Sequence, residues 1–240
     1  MPPRLYCSQP ISGKAITLPP EAAHHAQRVL RLRQGDPVIL FDGSGGEWPG
    51  RLLEAGRSLN VELGPWSPVE REAGLILSLA QALPSADKMD WVVQKAVELG
   101  VAAIQPLEAA RSVLRLAGER AEKRSRHWLQ VAISACEQCG RNRLPTLAPL
   151  LPLQTYLAQP AAPGELRLLL SPVGGPRLAE LSRPQAVTLL VGPEGGLTED
   201  EIAAAHLSGF QAVTLGPRVL RTETAGLAAI AAMQALWGDF

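Results

Sequence analysis

The chain has 240 residues, 46% of them hydrophobic and 19% charged, and its 23 basic side chains are balanced by 23 acidic ones. That is an ordinary globular composition with room for one large domain or two modest ones; zero net charge excludes a protein coated in positive charge but not a local basic footprint. The apolar runs are short and interrupted, which excludes a membrane-spanning helix, and the opening Met1-Pro2-Pro3-Arg4-Leu5 lacks a signal peptide's apolar core, so a cytoplasmic protein is expected.

Up to about residue 67 helix signal is sparse. Strand-like runs occur at Ala15-Ile16-Thr17-Leu18, Pro37-Val38-Ile39-Leu40-Phe41 and Leu59-Asn60-Val61-Glu62-Leu63. Turn chemistry such as Gln34-Gly35-Asp36 and Asp42-Gly43-Ser44-Gly45-Gly46 separates them. One short helix is expected from about Pro20 to Leu30, so residues 1–67 read as a small β-barrel with an inserted helix. Arg28, Arg31 and Arg33 cluster beside it, which fits either a phosphate-binding surface or a solvated basic face. Gly64-Pro65-Trp66-Ser67-Pro68 reads as a linker.

From residue 73 to 240 strands and helices alternate. Leu75-Ile76-Leu77-Ser78-Leu79-Ala80 is a near-continuous apolar run, as expected of a strand buried on both faces. A helix capped by Asp87 and ended by Gly100 follows, then the strand Val101-Ala102-Ala103-Ile104 and a long helix from Gly118 to Gln138. Further strands are expected at 166–170, 187–191 and 211–215, and helices at 199–207 and 223–237. This alternation predicts a mostly parallel sheet covered by helices on both faces. Cys136 and Cys139 have C-x-x-C spacing, but no second pair completes a zinc site; incidental reduced thiols are the plainer reading, with Cys7 alone. No metal site is expected, since the histidines lack metal-ligand spacing.

Two loops carry the candidate chemistry. Val191 is followed by Gly192-Pro193-Glu194-Gly195-Gly196 and then by Thr198 and Glu201 in capping-box spacing. A strand that ends in such a loop sits where open α/β sheets bind ligands, and glycines let backbone approach a flat ligand closely. The loop is neither G-x-G-x-x-G nor a P-loop, which argues against a nucleoside triphosphate. The second loop, Gly216-Pro217-Arg218-Val219-Leu220-Arg221-Thr222-Glu223-Thr224-Ala225, leads into a helix of small apolar residues that is buried in the core or against a second subunit. Thr222 suits an N-cap and Glu223 the positive end of that helix. Arg221 has no comparable structural reason to be there.

These two segments resemble the signature of the SPOUT methyltransferases that methylate N3 of a uridine in 16S ribosomal RNA. Gln94-Lys95-Ala96-Val97-Glu98-Leu99-Gly100-Val101 is similar to a helix end of that family. Ala135-Cys136-Glu137-Gln138-Cys139-Gly140-Arg141-Asn142-Arg143-Leu144-Pro145 is similar to another of its segments, with Cys139 where serine is usual. His24-His25-Ala26-Gln27-Arg28-Val29-Leu30-Arg31-Leu32 resembles its N-terminal domain.

The resemblance implies a PUA-like RNA-binding β-barrel over 1–67 and a SPOUT α/β domain with a deep trefoil knot over 73–240, acting as a homodimer on 16S rRNA, within the small ribosomal subunit. It implies S-adenosyl-L-methionine as cofactor, bound by Leu170, Leu190, Gly192, Glu194, Gly195, Gly196, Leu215, Gly216, Leu220 and Thr224. Uracil N3 is a neutral imide and must lose its proton to attack, so a base and a stabiliser of growing negative charge are needed. Glu223 is the candidate for the base, or for orienting it, and Arg221 for the stabiliser. Arg28, Arg31, Arg33, Glu137, Gln138 and Arg141 are the candidate RNA contacts. The competing readings are a non-catalytic RNA-binding factor on the same fold and a relative acting on tRNA or on ribose 2′-O.

Overall fold

A computed structural model describes residues 2–53, 58–85 and 87–240. The chain divides into two compact units, Met1–Glu72 with Ile133–Leu144, and Ala73–Ala132 with Pro145–Phe240.

In the first unit β1 (Arg4–Tyr6), β2 (Ala15–Thr17), β3 (Pro37–Phe41), β4 (Trp48–Leu52) and β5 (Asn60–Leu63) form one sheet, in the order β1-β3-β4-β5-β2. Only β1 and β3 pair in parallel. β1 and β4 lie outside the expected strands. The first is three residues long and charged, and the second contains Pro49 and Gly50, which ordinarily argue against a strand. The expected single helix is two pieces: α1 (Pro20–His24) and a wider π-type turn over His25–Val29, closed by Leu30 N–H donating to the His25 carbonyl at 3.0 Å. Leu5, Leu18, Val38, Leu40, Leu52 and Val61 meet in one apolar core. The expected linker is tied down, since Glu47 and Ser67 exchange two backbone hydrogen bonds.

Segment 133–144 joins this unit through side chains that no periodicity announces. The buried Arg4 guanidinium donates to Glu47 at 2.7 Å and to the Asn142 side-chain carbonyl. Asn142 in turn donates to the Val69 carbonyl at 2.5 Å, and Arg71 to the Gly140 carbonyl at 2.8 Å.

The second unit is a parallel sheet. Its strands are β6 (Ile76–Ala82), β7 (Ala103–Glu108), β8 (Thr146–Leu147), β9 (Leu151–Pro152), β10 (Glu165–Leu170), β11 (Ala186–Val191) and β12 (Gln211–Val213). Their order is β12-β10-β11-β6-β7-β8, with β9 also pairing β7. The helices are α2 (Lys88–Glu98), α3 (Gly118–Cys139), whose last turns count with the first unit, α4 (Leu153–Leu157), α5 (Glu199–Leu207) and α6 (Thr222–Trp237). Side chains alternate across a strand: Ala80, Ala82 and Leu190 pack with Leu153, Leu157 and Ala205 of α4 and α5. Leu79, Gln81 and Val191 lie beneath α6, where a Cβ on Gly226 would stand 3.4–3.6 Å from all three. The small-residue sequence of α6 is thus a packing requirement.

Gly226→Val forces bulk into that contact and is expected to lower stability by about 1–3 kcal/mol. Urea unfolding would measure the change, and Gly226→Ala should lose clearly less.

Candidate active site

Because β11 lies between β10 and β6, and β12 flanks β10, the carboxyl ends of β10, β11 and β12 are adjacent. A cavity of about 610 Å³ opens there. One wall is Leu169, Leu170 and Ser171; a second is Val191, Gly192, Glu194 and Gly196; the third runs from Thr214 through Leu215, Gly216, Arg218 and Leu220 to Thr222. Ile202 and His206 of α5 add to the lining. Gly196 and Gly216 have φ of +68° and +121°, and a Cβ on either would project into open space. Both positions therefore need glycine for conformation, and both leave the cavity unobstructed.

Of the expected cofactor residues, Leu170, Gly192, Glu194, Gly196, Leu215, Gly216 and Leu220 line this cavity, as does Arg221. Leu190, Gly195 and Thr224 do not. The Leu190 side chain points into the α4–α5 core by strand alternation, and Thr224 is exposed on α6. Gly195 backs onto Arg111: its carbonyl accepts from that guanidinium at 3.0 Å, and an added Cβ would stand 3.1 Å from Arg111 Cβ. Arg111 also reaches the Leu197 carbonyl at 3.4 Å, so it clasps the glycine loop from outside the cavity.

Thr222 is not the N-cap of α6; that position is Arg221, which makes no side-chain cap bond. The Thr222 hydroxyl donates to the Gly192 carbonyl at 2.5 Å and accepts from the amide of fully buried Gln81 at 3.0 Å. It joins the ends of β6 and β11 to the start of α6. The Thr198–Glu201 capping box forms as expected, and Glu201 also accepts from Ala110 N–H at 2.7 Å.

A charge cluster that no sequence spacing announces borders the cavity. Lys88 Nζ lies 2.9 Å from Glu194 Oε1 and 3.3 Å from Glu223 Oε1. Ser85 donates to Glu194 Oε1 through its backbone N–H at 3.0 Å and its hydroxyl at 2.6 Å. Burial alone would raise the Glu194 carboxyl, but the Ser85 and Lys88 donors outweigh it and hold it at about 2. The same Glu194 contact, reinforced by Glu223, raises the Lys88 ammonium above its ordinary value. Glu223 Oε2 is buried and has no partner among the described residues. Arg221 is exposed on the cavity wall.

The expected RNA contacts separate. Arg28, Arg31 and Arg33 are exposed, with Val29 and Leu30 exposed between them, and Arg31 has φ +54°. Gln138 is exposed on α3. Arg141 and Glu137 are instead internal to the first unit. Arg141 is buried and grips Glu72 at 2.5 and 3.1 Å. Glu137 accepts from Tyr6 N–H at 3.0 Å and lies 3.3 Å from His25 Nδ1, and burial raises its carboxyl. Cys7 and Cys136 form no disulfide, and burial pushes both thiols up to about 12, which makes them inert at neutral pH. Among the described residues no group of His, Cys, Asp or Glu could hold a metal ion, and no helix is long and apolar enough to cross a membrane.

Parallel strands ending in a glycine-lined, cofactor-sized cavity define an α/β protein that holds a small ligand above its sheet. Residues 71–234 match the RNA methyltransferase domain and residues 18–63 the RNA methyltransferase PUA domain. The chain belongs to this RNA methyltransferase family, among relatives of the ribosomal RNA small subunit methyltransferase E type. The enzyme of that name from Synechocystis sp. is 35% identical over 226 residues, spanning 92% of this chain and 73% of that one. A Neisseria gonorrhoeae ribosomal RNA small subunit methyltransferase E, solved bound to S-adenosyl methionine, is 41% identical, with a TM-score of 0.93 and 100% of both chains covered. A Legionella pneumophila protein solved with the bound cofactor SAM is 36% identical, with a TM-score of 0.95 over 100% of both chains.

Gly195→Val must displace Arg111 and is expected to weaken cofactor binding by roughly tenfold or more, since overpacking of this kind costs about 1–3 kcal/mol. Titration calorimetry with S-adenosylmethionine measures it, and unchanged affinity would show that the loop does not depend on this contact.

Proposed function

We propose that the protein transfers a methyl group from S-adenosylmethionine to N3 of one uridine in 16S rRNA, as a cytoplasmic homodimer working on the small ribosomal subunit. The observation that carries this reading is the meeting of two features: a glycine-cradled cavity with exposed Arg221 on its wall, and beside it Glu223, whose Oε2 is buried with no partner among the described residues. The cavity volume of about 610 Å³ falls within the roughly 300–1,000 Å³ typical of ligand clefts, and its walls are mostly apolar with backbone polar groups between. Open space above Gly196 and Gly216 suits a group that lies flat on backbone. Leu170, Gly192, Glu194, Gly196, Leu215, Gly216 and Leu220 would hold the cofactor by side chain or backbone, and Leu190 and Gly195 would shape those loops from behind.

Bound there, the cofactor supplies an electrophilic methyl, so the chain's task is to prepare the nucleophile. Removing the imide proton from uracil N3 spreads negative charge onto O2 and O4. Glu223 accepts that proton or orients the group that does, and Arg221 stabilises the anion. Fixing the base in line with the methyl supplies the rest.

Three finer features go with this reading. The five strands of the first unit share one core, which supports a PUA-like barrel. After β12 at the sheet edge the chain returns as α6 over β6 and β11 and also touches the turn Leu178–Glu180, which supports a knotted chain end. Leu236 and Phe240 stay exposed beyond the packed face of α6, which supports a second copy there. For RNA, the strained Arg31 backbone between exposed Arg28 and Arg33 favours a binding surface over an idle basic face, because such strain concentrates at functional sites.

Incubating the enzyme with labelled cofactor and 16S rRNA or small subunits, then mapping nucleosides, should reveal N3-methyluridine at one position. In the same assay Glu223→Gln should lower turnover by about 10²–10⁴-fold with cofactor affinity kept; full turnover would remove Glu223 from this role. Reversing the charge of Arg28, Arg31 and Arg33 together should weaken rRNA binding and flatten its salt dependence without touching cofactor affinity, as filter binding across a salt series would record.

A further inference from the structure

We infer that Lys88 is a positioning residue for methyl transfer: it holds the Glu223 carboxylate at the edge of the cavity and ties it to the glycine loop through Glu194. The inference rests on the reading of Glu223 given above and adds a residue to it.

Lys88 is the first residue of α2, at the helix end where backbone N–H groups make the environment positive. A cation is disfavoured there. When a residue breaks a local preference of this kind, a compensating contact elsewhere is expected. Here the compensation is two carboxylates from two other segments, at 2.9 and 3.3 Å. Glu194 comes from the loop after β11, and Glu223 from the first turn of α6. The other charged groups at this end of α2 are engaged elsewhere. Asp87 pairs with Arg124 at 2.9 Å, and Asp90 accepts from Trp128 at 3.0 Å and bonds His127 at 2.7 Å. Further along the helix, Lys95 pairs with Glu98 at 2.8 Å.

The two carboxylates depend on Lys88 unequally. Glu194 keeps two donors from Ser85 if the ammonium is removed, so the cavity wall it belongs to stays in place. Among the described residues Glu223 has Lys88 as its one ion-pair partner, on Oε1, while the buried Oε2 has none. The ammonium on Oε1 therefore fixes how the carboxylate sits beside Arg221 and Thr222 of the cavity wall. Loss of Lys88 should release Glu223 selectively, which affects turnover and leaves cofactor binding alone.

The test is a double-mutant cycle on the full chain, with kcat for rRNA methylation, cofactor affinity by calorimetry and melting temperature read for each variant. Lys88→Met is expected to reduce kcat by about 10–100-fold, the scale of a base misplaced by an ångström, with cofactor affinity unchanged. Lys88→Arg should restore most of the loss, because it returns a cation to the same two carboxylates. In a Glu223→Gln background Lys88→Met should cost nothing further, since the group it acts through is already gone. An equal loss of kcat in both backgrounds, or a loss of cofactor affinity with kcat intact, would overturn the inference and leave Lys88 as a strut of the loop. Full turnover in Glu223→Gln alone would overturn the reading of Glu223 and this inference with it, a different result from either of those.

Discussion

Gln81 lies wholly inside the second unit at the end of β6, and its amide must find partners there or bear the cost of burial. Its nitrogen finds the Ala82 carbonyl at 2.9 Å and the Thr222 hydroxyl at 3.0 Å, its oxygen has no partner among the described residues, and Thr222 passes the connection to the Gly192 carbonyl. Three chain segments far apart in sequence are pinned by this short chain of hydrogen bonds. It fixes where α6 begins, hence where Arg221 and Glu223 stand relative to the glycine loop. Gly226, one turn further along, lets α6 settle onto Leu79 and Val191 closely enough for the bonds to form.

Around that joint the loops are braced from two sides. Arg111 clasps the outer face of the glycine loop through the Gly195 and Leu197 carbonyls. Ser85 and Lys88 hold Glu194 on the same loop. A cavity walled by loops needs such support, because loops have few apolar contacts of their own to fix them. The bracing groups are charged or polar and bond mostly to backbone or carboxylate, so they define shape without filling the space that a ligand requires.

The candidate site was partly legible in the sequence. Glycine-rich loops at strand ends identify a ligand site by a physical argument, and most of the cofactor residues that the family resemblance implied line one cavity there. The departures from expectation have definite physical causes. Leu190 was chosen for its place in a motif, but strand alternation turns it away from the cavity. Gly195 shapes the loop against Arg111, a contact across 84 residues that nothing local predicts. The family resemblance put Arg141 and Glu137 among the RNA contacts, and no local pattern reveals that Glu72, Tyr6 and His25 engage them inside the first unit. Lys88 escaped because a single lysine at a helix start carries no spacing pattern.

Local chemistry determined what it could reach. Continuous apolar runs set the parallel strands, small residues and caps set α5 and α6, and Pro-Gly punctuation set the turns between them. The family resemblance then supplied a chemistry. Only the tertiary structure decided that segment 133–144 belongs with the first unit, that Thr222 bonds across to Gly192 in place of capping its own helix, and that Lys88, Glu194 and Glu223 form one cluster. Those outcomes depend on which strands become neighbours. Neighbour choice is a property of the whole sheet, where side chains more than a hundred residues apart satisfy one another's hydrogen bonds, and no window along the chain contains both partners.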